Sequence, residues 1–290
     1  MKIFTSTALL LLLFINVALA QKKKIRLPEE LKEVSGLYVA GTDSLWWLND
    51  SGNAPALYLT ESRGAIKRFT LLGQPGVKNR DWEDLTHDDE GNIYIGDFGN
   101  NANRRQDLCI YKWMPGGQLD SITFRYPDQT AFPPAHDKAN FDMEGFFWYR
   151  DSLHLFSKSR LGNNNYTTRH YVLPDQAGDY TAQLKDSLYL KKRVVTGAAI
   201  SRDGKTVVLL AYRFKKLLGF IPLTPASVFV FQNAGDTFAL SENYQKIRVP
   251  KCLLPTQYEA IDFADEQQVW VATERTILLK QKARKIKIYR

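Results

Sequence analysis

The stretch Asp81-Trp82-Glu83-Asp84-Leu85-Thr86-His87-Asp88-Asp89-Glu90-Gly91-Asn92-Ile93-Tyr94-Ile95-Gly96-Asp97 contains a short strand, a turn of Asp, Glu and Gly, and a second strand of apolar residues. Two such runs across a tight polar turn form an antiparallel hairpin. The same pattern recurs along the chain. Ser35-Gly36-Leu37 leads to Ser44-Leu45-Trp46-Trp47-Leu48-Asn49-Asp50, and Glu144-Gly145-Phe146 leads to Ser152-Leu153-His154-Leu155-Phe156. Thr196-Gly197-Ala198 leads through Arg202-Asp203-Gly204 to Thr206-Val207-Val208-Leu209-Leu210, and Glu259-Ala260-Ile261 leads to Gln268-Val269-Trp270-Val271-Ala272. The five copies lie at intervals on the order of 50 to 60 residues, a period that belongs to repeat architectures.

Behind each hairpin lie further strand candidates, such as Ala56-Leu57-Tyr58-Leu59 with Ile66-Lys67-Arg68-Phe69, and Cys109-Ile110-Tyr111 with Ile122-Thr123-Phe124-Arg125. The unit is therefore a four-stranded antiparallel sheet. No segment carries a sustained helical period, which argues against crossover helices and a parallel sheet. One small sheet cannot bury both faces alone, so its copies stack around an axis. The expectation is an all-β fold, a single β-propeller of four-stranded antiparallel blades, with the first strand of each copy innermost. Counting copies favours five blades; the alternative is a degenerate sixth built from both termini and the interval from Lys215 to Thr237. Ile25-Arg26-Leu27 precedes the first copy and is expected to close the ring on the last sheet, where Lys285-Ile286-Lys287-Ile288-Tyr289 competes for the same edge.

The first twenty residues place Lys2 before an apolar run from Ala8 to Phe14 and end in Val17-Ala18-Leu19-Ala20, the pattern of a cleavable export signal. Residues 1–20 are thus expected to leave, with the propeller domain over 21–290. The apolar run is shorter than the roughly 20 residues that an anchor needs, and no later stretch approaches that length. An exported protein, periplasmic or extracellular and not membrane-spanning, has no nucleic acid as its natural partner. It is taken as a monomer. Cys109 and Cys252 fall well short of a disulfide framework. The net charge of +8 gathers at Lys22 to Lys24 with Arg26, at Lys191 to Arg193 and in the tail from Lys280. Solvated strand faces explain such blocks; attraction to anionic glycans, phosphates or membrane surfaces is the sharper alternative.

Because repeats place like residues at like positions, a residue at the start of each inner strand becomes one member of a ring. That ring is acidic: Glu83, Glu144 and Glu259 are equivalent, with Ser35 and Thr196 in the other copies, and Asp81, Asp142 and Gln257 stand two residues earlier. The ends of the second strands add Asn49, Asp50, Asp97, Lys158, Arg213 and Glu274, and the following turn adds Asn100 and Asn101. Converging carboxylates repel unless a cation, basic side chains or raised pKa values compensate them. Hard oxygen ligands suit calcium or magnesium, with Asp50, Glu83, Asp97, Glu144 and Glu259 as the candidate set. The competing explanation is that these acids bond loop amides and fix blade packing. Lys158, Arg213 and Arg104 are expected to balance acids through ion pairs, or to hold an anionic group.

Other familiar chemistry is missing. His87, His136, His154 and His170 lack zinc spacing, and neither a Gly-x-Ser-x-Gly elbow nor a phosphate-binding Gly-x-x-x-x-Gly-Lys run occurs. Most tryptophans fall in strands and belong to a core. Trp82, between Asp81 and Glu83, is expected near the channel mouth, where it would stack on a ligand.

The motifs Asn49-Asp50-Ser51-Gly52-Asn53, Asp81-Trp82-Glu83-Asp84-Leu85 and Gly96-Asp97-Phe98-Gly99-Asn100-Asn101 with Arg104 resemble those of a mostly uncharacterised family of secreted bacterial propellers. More distantly the chain is similar to calcium-using propellers of the esterase-like phytase and gluconolactonase groups. That resemblance implies a metal-supported ligand site near the axis, although Asn100 stands where the family motif often has an acid. Two functional expectations follow. One is a binding propeller that holds a glycan, a small anionic ligand or a protein at its mouth, using Trp82, Asn100, Asn101 and Arg104. The other is a calcium-dependent hydrolase of a phosphoester or lactone, with Glu83, Glu144, Lys158 and Arg213 as catalytic candidates.

Overall fold

The computed structural model describes residues 24–159, 165–217, 221–235, 238–250 and 256–289. The proposed leader and Cys252 lie outside them. Blade V borrows its outermost strand, β1 (Lys24–Arg26), from the N-terminus. Blade I is β2 (Val34–Gly41), β3 (Ser44–Asn49), β4 (Ala56–Thr60) and β5 (Ile66–Leu71). Blade II is β6 (Trp82–His87), β7 (Ile93–Asp97), β8 (Leu108–Trp113) and β9 (Leu119–Arg125). Blade III is β10 (Asp142–Tyr149), β11 (Ser152–Lys158) and β12 (Thr167–Pro174); β13 (Gly178–Thr181) then leaves it, and β14 (Gln183–Tyr189) completes it. Blade IV is β15 (Val194–Ile200), β16 (Thr206–Tyr212), a side hairpin of β17 (Lys215–Leu217) and β18 (Ile221–Leu223), then β19 (Ala226–Gln232) and β20 (Gln245–Arg248). The remaining strands of blade V are β21 (Tyr258–Asp265), β22 (Gln268–Thr273) and β23 (Lys282–Lys287).

The described residues form five blades and no sixth. The interval from Lys215 is used up by the β17–β18 hairpin and β19, both within blade IV's chain. The two terminal strands do not compete for one edge, because β23 takes the third position of blade V and β1 pairs outside it, Ile25 opposite Ala283. The ring is closed by hydrogen bonds between chain ends. Short 3₁₀ turns occur at Glu29–Leu31 and His136–Lys138, and among the described residues no helix is long and apolar enough to cross a membrane.

Alternation along each strand sends successive side chains to opposite neighbours. In β3, Leu45 and Trp47 pack toward blade V with Ala260 and Trp270, whereas Trp46 and Leu48 pack toward blade II with Ile93 and Ile95. The same division produces one apolar layer at each of the other blade interfaces. Cys109 is a free thiol buried in the layer between blades I and II. Blade II's edge is covered by β13, which runs parallel to β9 with Tyr180 opposite Phe124, and a covered edge offers no template for another chain.

All five inner strands carry an irregularity at the same place. Pairing skips one residue between Val34 and Gly36, Trp82 and Asp84, Met143 and Gly145, Val195 and Gly197, and Tyr258 and Ala260. The skipped residues are Ser35, Glu83, Glu144, Thr196 and Glu259. A β-bulge leaves its extra residue unpaired and re-aims its side chain. Here that turns the repeat position toward the axis, while the following residue lies close against the neighbouring inner strand. A Cβ on Gly145 would come within 2.7 Å of Ala198 N, and one on Gly36 within 2.9 Å of Leu85 N. Backbone cannot yield there. Gly145→Ala should lower stability by about 1–3 kcal/mol in urea unfolding, the usual cost of overpacking, whereas Gly41→Ala, with nothing within 4 Å, should cost less than about 1 kcal/mol. Equal effects would mean that the inner strands have room to separate.

Candidate functional site

The bulge residues divide into two kinds by what they touch. Ser35 Oγ donates to Trp82 O (2.9 Å) and Thr196 Oγ1 donates to Tyr258 O (2.8 Å), so the two hydroxyls tie blade I to II and blade IV to V. The three glutamates have no such backbone partner and face the channel. They line a cavity of about 440 Å³ with Asp50, Asp142, Glu274, Gln257, Asn101, Asn103, Lys158, Ser159 and Tyr212.

Two carboxylate triads form within this cavity, Asp50 with Asp81 and Glu83, and Glu83 with Asp142 and Glu144; in each the nearest oxygens lie within 4.8 Å of one another. Glu83 belongs to both. Gly99 backs the first triad, since a Cβ there would collide with Glu83 Oε1 and the Asp81 carboxyl. Asp142 Oδ1 accepts from Asn100 N (2.6 Å), and Asp50 accepts from Ser51 N. Lys158 is the single cation lining the cavity among the described residues, and it donates to Glu144 Oε1 at 2.6 Å.

One ammonium does not neutralise this many carboxylates. Burial, then the charges of Glu144 and Asp50, push Glu83 well above the ordinary range. Glu144 is likewise raised by burial against the pull of Lys158. Burial and the neighbouring Asp50 and Asp142 lift Asp81 to about 6. Across the cavity, burial lifts Glu259 to about 7, and burial with repulsion from Glu259 and Asp50 lifts Glu274 to about 9. Gln257 Nε2 donates to both of these acids, at 3.3 and 3.4 Å. Burial works against the Lys158 ammonium, but Glu144 and the other carboxylates outweigh it and hold it well above its usual value.

Several residues expected at this site stand elsewhere. Asp97 faces away from the triads, ion-paired with Arg105 at 3.0 Å and accepting from Asp81 N. The partner is Arg105, not the exposed Arg104, because Arg105 folds back to donate to the Gly99 and Asp97 carbonyls. Trp82 is not at the mouth. Its ring is fully buried between blades I and II, with Nε1 donating to Lys78 O, since alternation turns it away from the side on which Asp81 and Glu83 lie. Asn100 is buried as a loop brace, its Oδ1 accepting from Arg104 N and Arg105 N, and only Asn101 of that pair lines the cavity. Arg213 is not among the described residues that line the cavity, and it pairs with no acid among them. Asp81 and Asp142 were legible as ring members but not as triad members, because the close approach depends on how the loops before β6 and β10 converge.

Deeper along the axis, Asp84 and Asp262 bridge adjacent inner strands. Asp84 Oδ2 accepts from Phe146 N (3.2 Å), and Asp262 accepts from Val39 N (2.6 Å) and from Phe263 N (2.8 Å). Beyond them the opposite end of the channel opens into a second cavity of about 520 Å³, lined in part by Tyr38, His87, Trp148 and Arg202.

No protein-family model and no curated protein matches this sequence. Similar solved structures include a mannose phosphorylase from Leishmania mexicana in complex with phosphate ion, at TM-score 0.50 and 12% identity over 95% of this chain and 91% of that one. An α-L-arabinanase of Penicillium chrysogenum complexed with arabinobiose gives 0.49 and 9% over 91% and 98%. A gluconolactonase of Xanthomonas campestris gives 0.44 and 14% over 86% and 71%. At these identities the likeness is one of fold. The chain is a five-bladed β-propeller whose neighbours include propeller enzymes.

Burial lifts the Asp262 carboxyl to about 7, with its two amide donors pulling the other way. The native state then holds this proton more tightly than the unfolded chain. Its contribution to stability is present below the unfolded carboxylate pKa of about 4 and is lost as pH rises through about 7. Asp262→Asn should therefore flatten the melting temperature between pH 5 and pH 8 and melt higher than the parent at pH 8. A pH slope unchanged by the substitution would show that this carboxyl does not take up the proton.

Proposed function

We propose that this chain is a ligand-binding propeller that takes a divalent cation in the axial cavity, with calcium the best chemical match. The observation that carries the reading is the pair of carboxylate triads sharing the buried Glu83, with Lys158 as the one cation lining the cavity among the described residues. Hard, mostly anionic oxygens at the mouth of an open cavity suit a cation that accepts many oxygen ligands in flexible geometry. Asp50, Asp81, Glu83, Asp142 and Glu144 would hold it, and the ionised forms that burial disfavours would be recovered. A small oxygen-rich or anionic ligand would then meet the cation beside Lys158, Asn101 and Tyr212. Calcium added after EDTA treatment should raise the melting temperature, because a ligand bound only by the native state stabilises it. Glu83→Gln and Glu144→Gln should each abolish most of that rise, and Glu83→Gln should melt no lower than the parent without metal. Equal calcium shifts in parent and variants would overturn the assignment.

A second reading, hydrolysis of a phosphoester or lactone, is favoured by one further feature. Glu259 and Glu274 line the same cavity outside the triads, bridged by Gln257, where one of them could move a proton to or from a substrate. A bound cation would supply electrophilic polarisation of the substrate oxygen. Lys158 would then stabilise negative charge developing nearby. Screening phosphoesters and lactones with calcium present tests this: turnover that disappears in Glu259→Gln, with the calcium melting shift retained, supports the enzyme.

The leader-type pattern before Gln21 supports export. Intact mass of the protein recovered outside the cytoplasm should correspond to a chain starting near Gln21, and a full-length mass would count against a cleaved leader.

A further inference from the structure

The basic residues that the axial site does not use are not scattered. Arg193 immediately precedes β15 and Arg213 immediately follows β16, and the adjoining Val194 and Tyr212 are cross-strand partners. On the next strands Lys246 lies opposite Phe229 and Arg248 opposite Ser227, so both share the face of blade IV on which Phe229 sits. Arg193 Cζ stands 6.0 Å from the centre of the Phe229 ring and Lys246 Nζ 5.8 Å from it, with Tyr244 packed edge-on at 5.0 Å. Arg213 continues the Val207, Leu209, Ala211 alternation toward the same face, where blade III abuts.

Four cations thus crowd one end of the blade III–IV interface with no ion pair to a carboxylate among the described residues. The Nε of Arg213 is buried without a hydrogen-bond acceptor. Burial and then repulsion from Arg213 and Arg248 lower the pKa of Arg193, and burial with the three arginines lowers that of Lys246. Several half-buried basic side chains elsewhere meet an acid, as Arg105 meets Asp97, Arg169 Asp128 and Lys112 Asp88. An unmatched cluster on a hydrophobic aromatic floor is the arrangement that recognises a compact multivalent anion: guanidinium forks supply directional donors, and the lysine adds charge.

We infer that Arg193, Arg213, Lys246 and Arg248 form a second site, separate from the acidic axis, which binds a tetrahedral oxyanion, phosphate or sulfate. It lies at the mouth end of the propeller, since Arg213 follows Tyr212, which lines the axial cavity. The oxyanion is either free in solution or an ester on a sugar.

The test is calorimetric titration of the purified protein, in EDTA and at constant ionic strength, with inorganic phosphate, inorganic sulfate and a sulfated oligosaccharide. Saturable binding of phosphate or sulfate over a chloride background is expected. Arg193→Gln combined with Arg248→Gln should weaken it by roughly tenfold or more. The double variant should melt no lower than the parent, because removing crowded like charges relieves repulsion. Glu83→Gln should leave oxyanion binding intact, which separates this site from the axial one. Tighter binding of the oligosaccharide than of inorganic sulfate would identify an ester as the source, and the reverse order a free ion. Heats no different from chloride, or binding undiminished in the double variant, would overturn the proposal.

Discussion

The close approach of five inner strands at the axis is the constraint on which the molecule depends. Five sheets can converge only if the innermost strands meet nearly backbone to backbone, as Gly145 does against Gly197 and Ala198. Each inner strand meets this constraint with a bulge one residue before that contact. The bulge both bends the strand and frees one side chain from the pleat. One structural device therefore serves closure and function together. Where the freed residue is Ser35 or Thr196, it bonds the next blade. Where it is Glu83, Glu144 or Glu259, a charge is delivered to the channel.

The consequence is a concentration of negative charge that the protein does not itself neutralise. Burying carboxylates is costly unless each is paired or protonated. Lys158 answers for Glu144 and Arg105 for Asp97, while Asp84 and Asp262 are used as bridges between strand amides. Glu83, shared by both triads, has no equivalent partner among the described residues. A structural role for every acid would predict that amides and cations are distributed among them, as happens deeper in the channel. Among the described residues neither an amide nor a cation is bonded to Glu83, and that separates a packing device from a site prepared for something else.

The complementary imbalance sits on blade IV, where cations gather without acids. Both imbalances lie at the mouth end, the acidic one on the axis and the basic one outward along a blade. A protein of modest net charge thus carries two local fields of opposite sign. Local charge of this kind can attract ligands that the average charge of +8 would not suggest.

The sequence by itself determined the blade plan: alternation, turn residues and recurrence define which segments are strands and which strand is innermost, because these depend on neighbours a few residues apart. It also placed Glu83, Glu144 and Glu259 on one ring, since repeated positions map onto repeated places. Other decisions required the folded chain. Whether Trp82 faces the mouth or the core turns on a one-residue alternation at a bulge, and the bulge arises from packing between blades. Arg105 rather than Arg104 meets Asp97 because the loop folds back on its own carbonyls. Asp81 and Asp142 join Glu83, and Arg213 joins Lys246 and Arg248, through loops and strands distant in sequence. Ring closure placed β1 outside β23 instead of in competition with it, an outcome set by the space left on the last sheet.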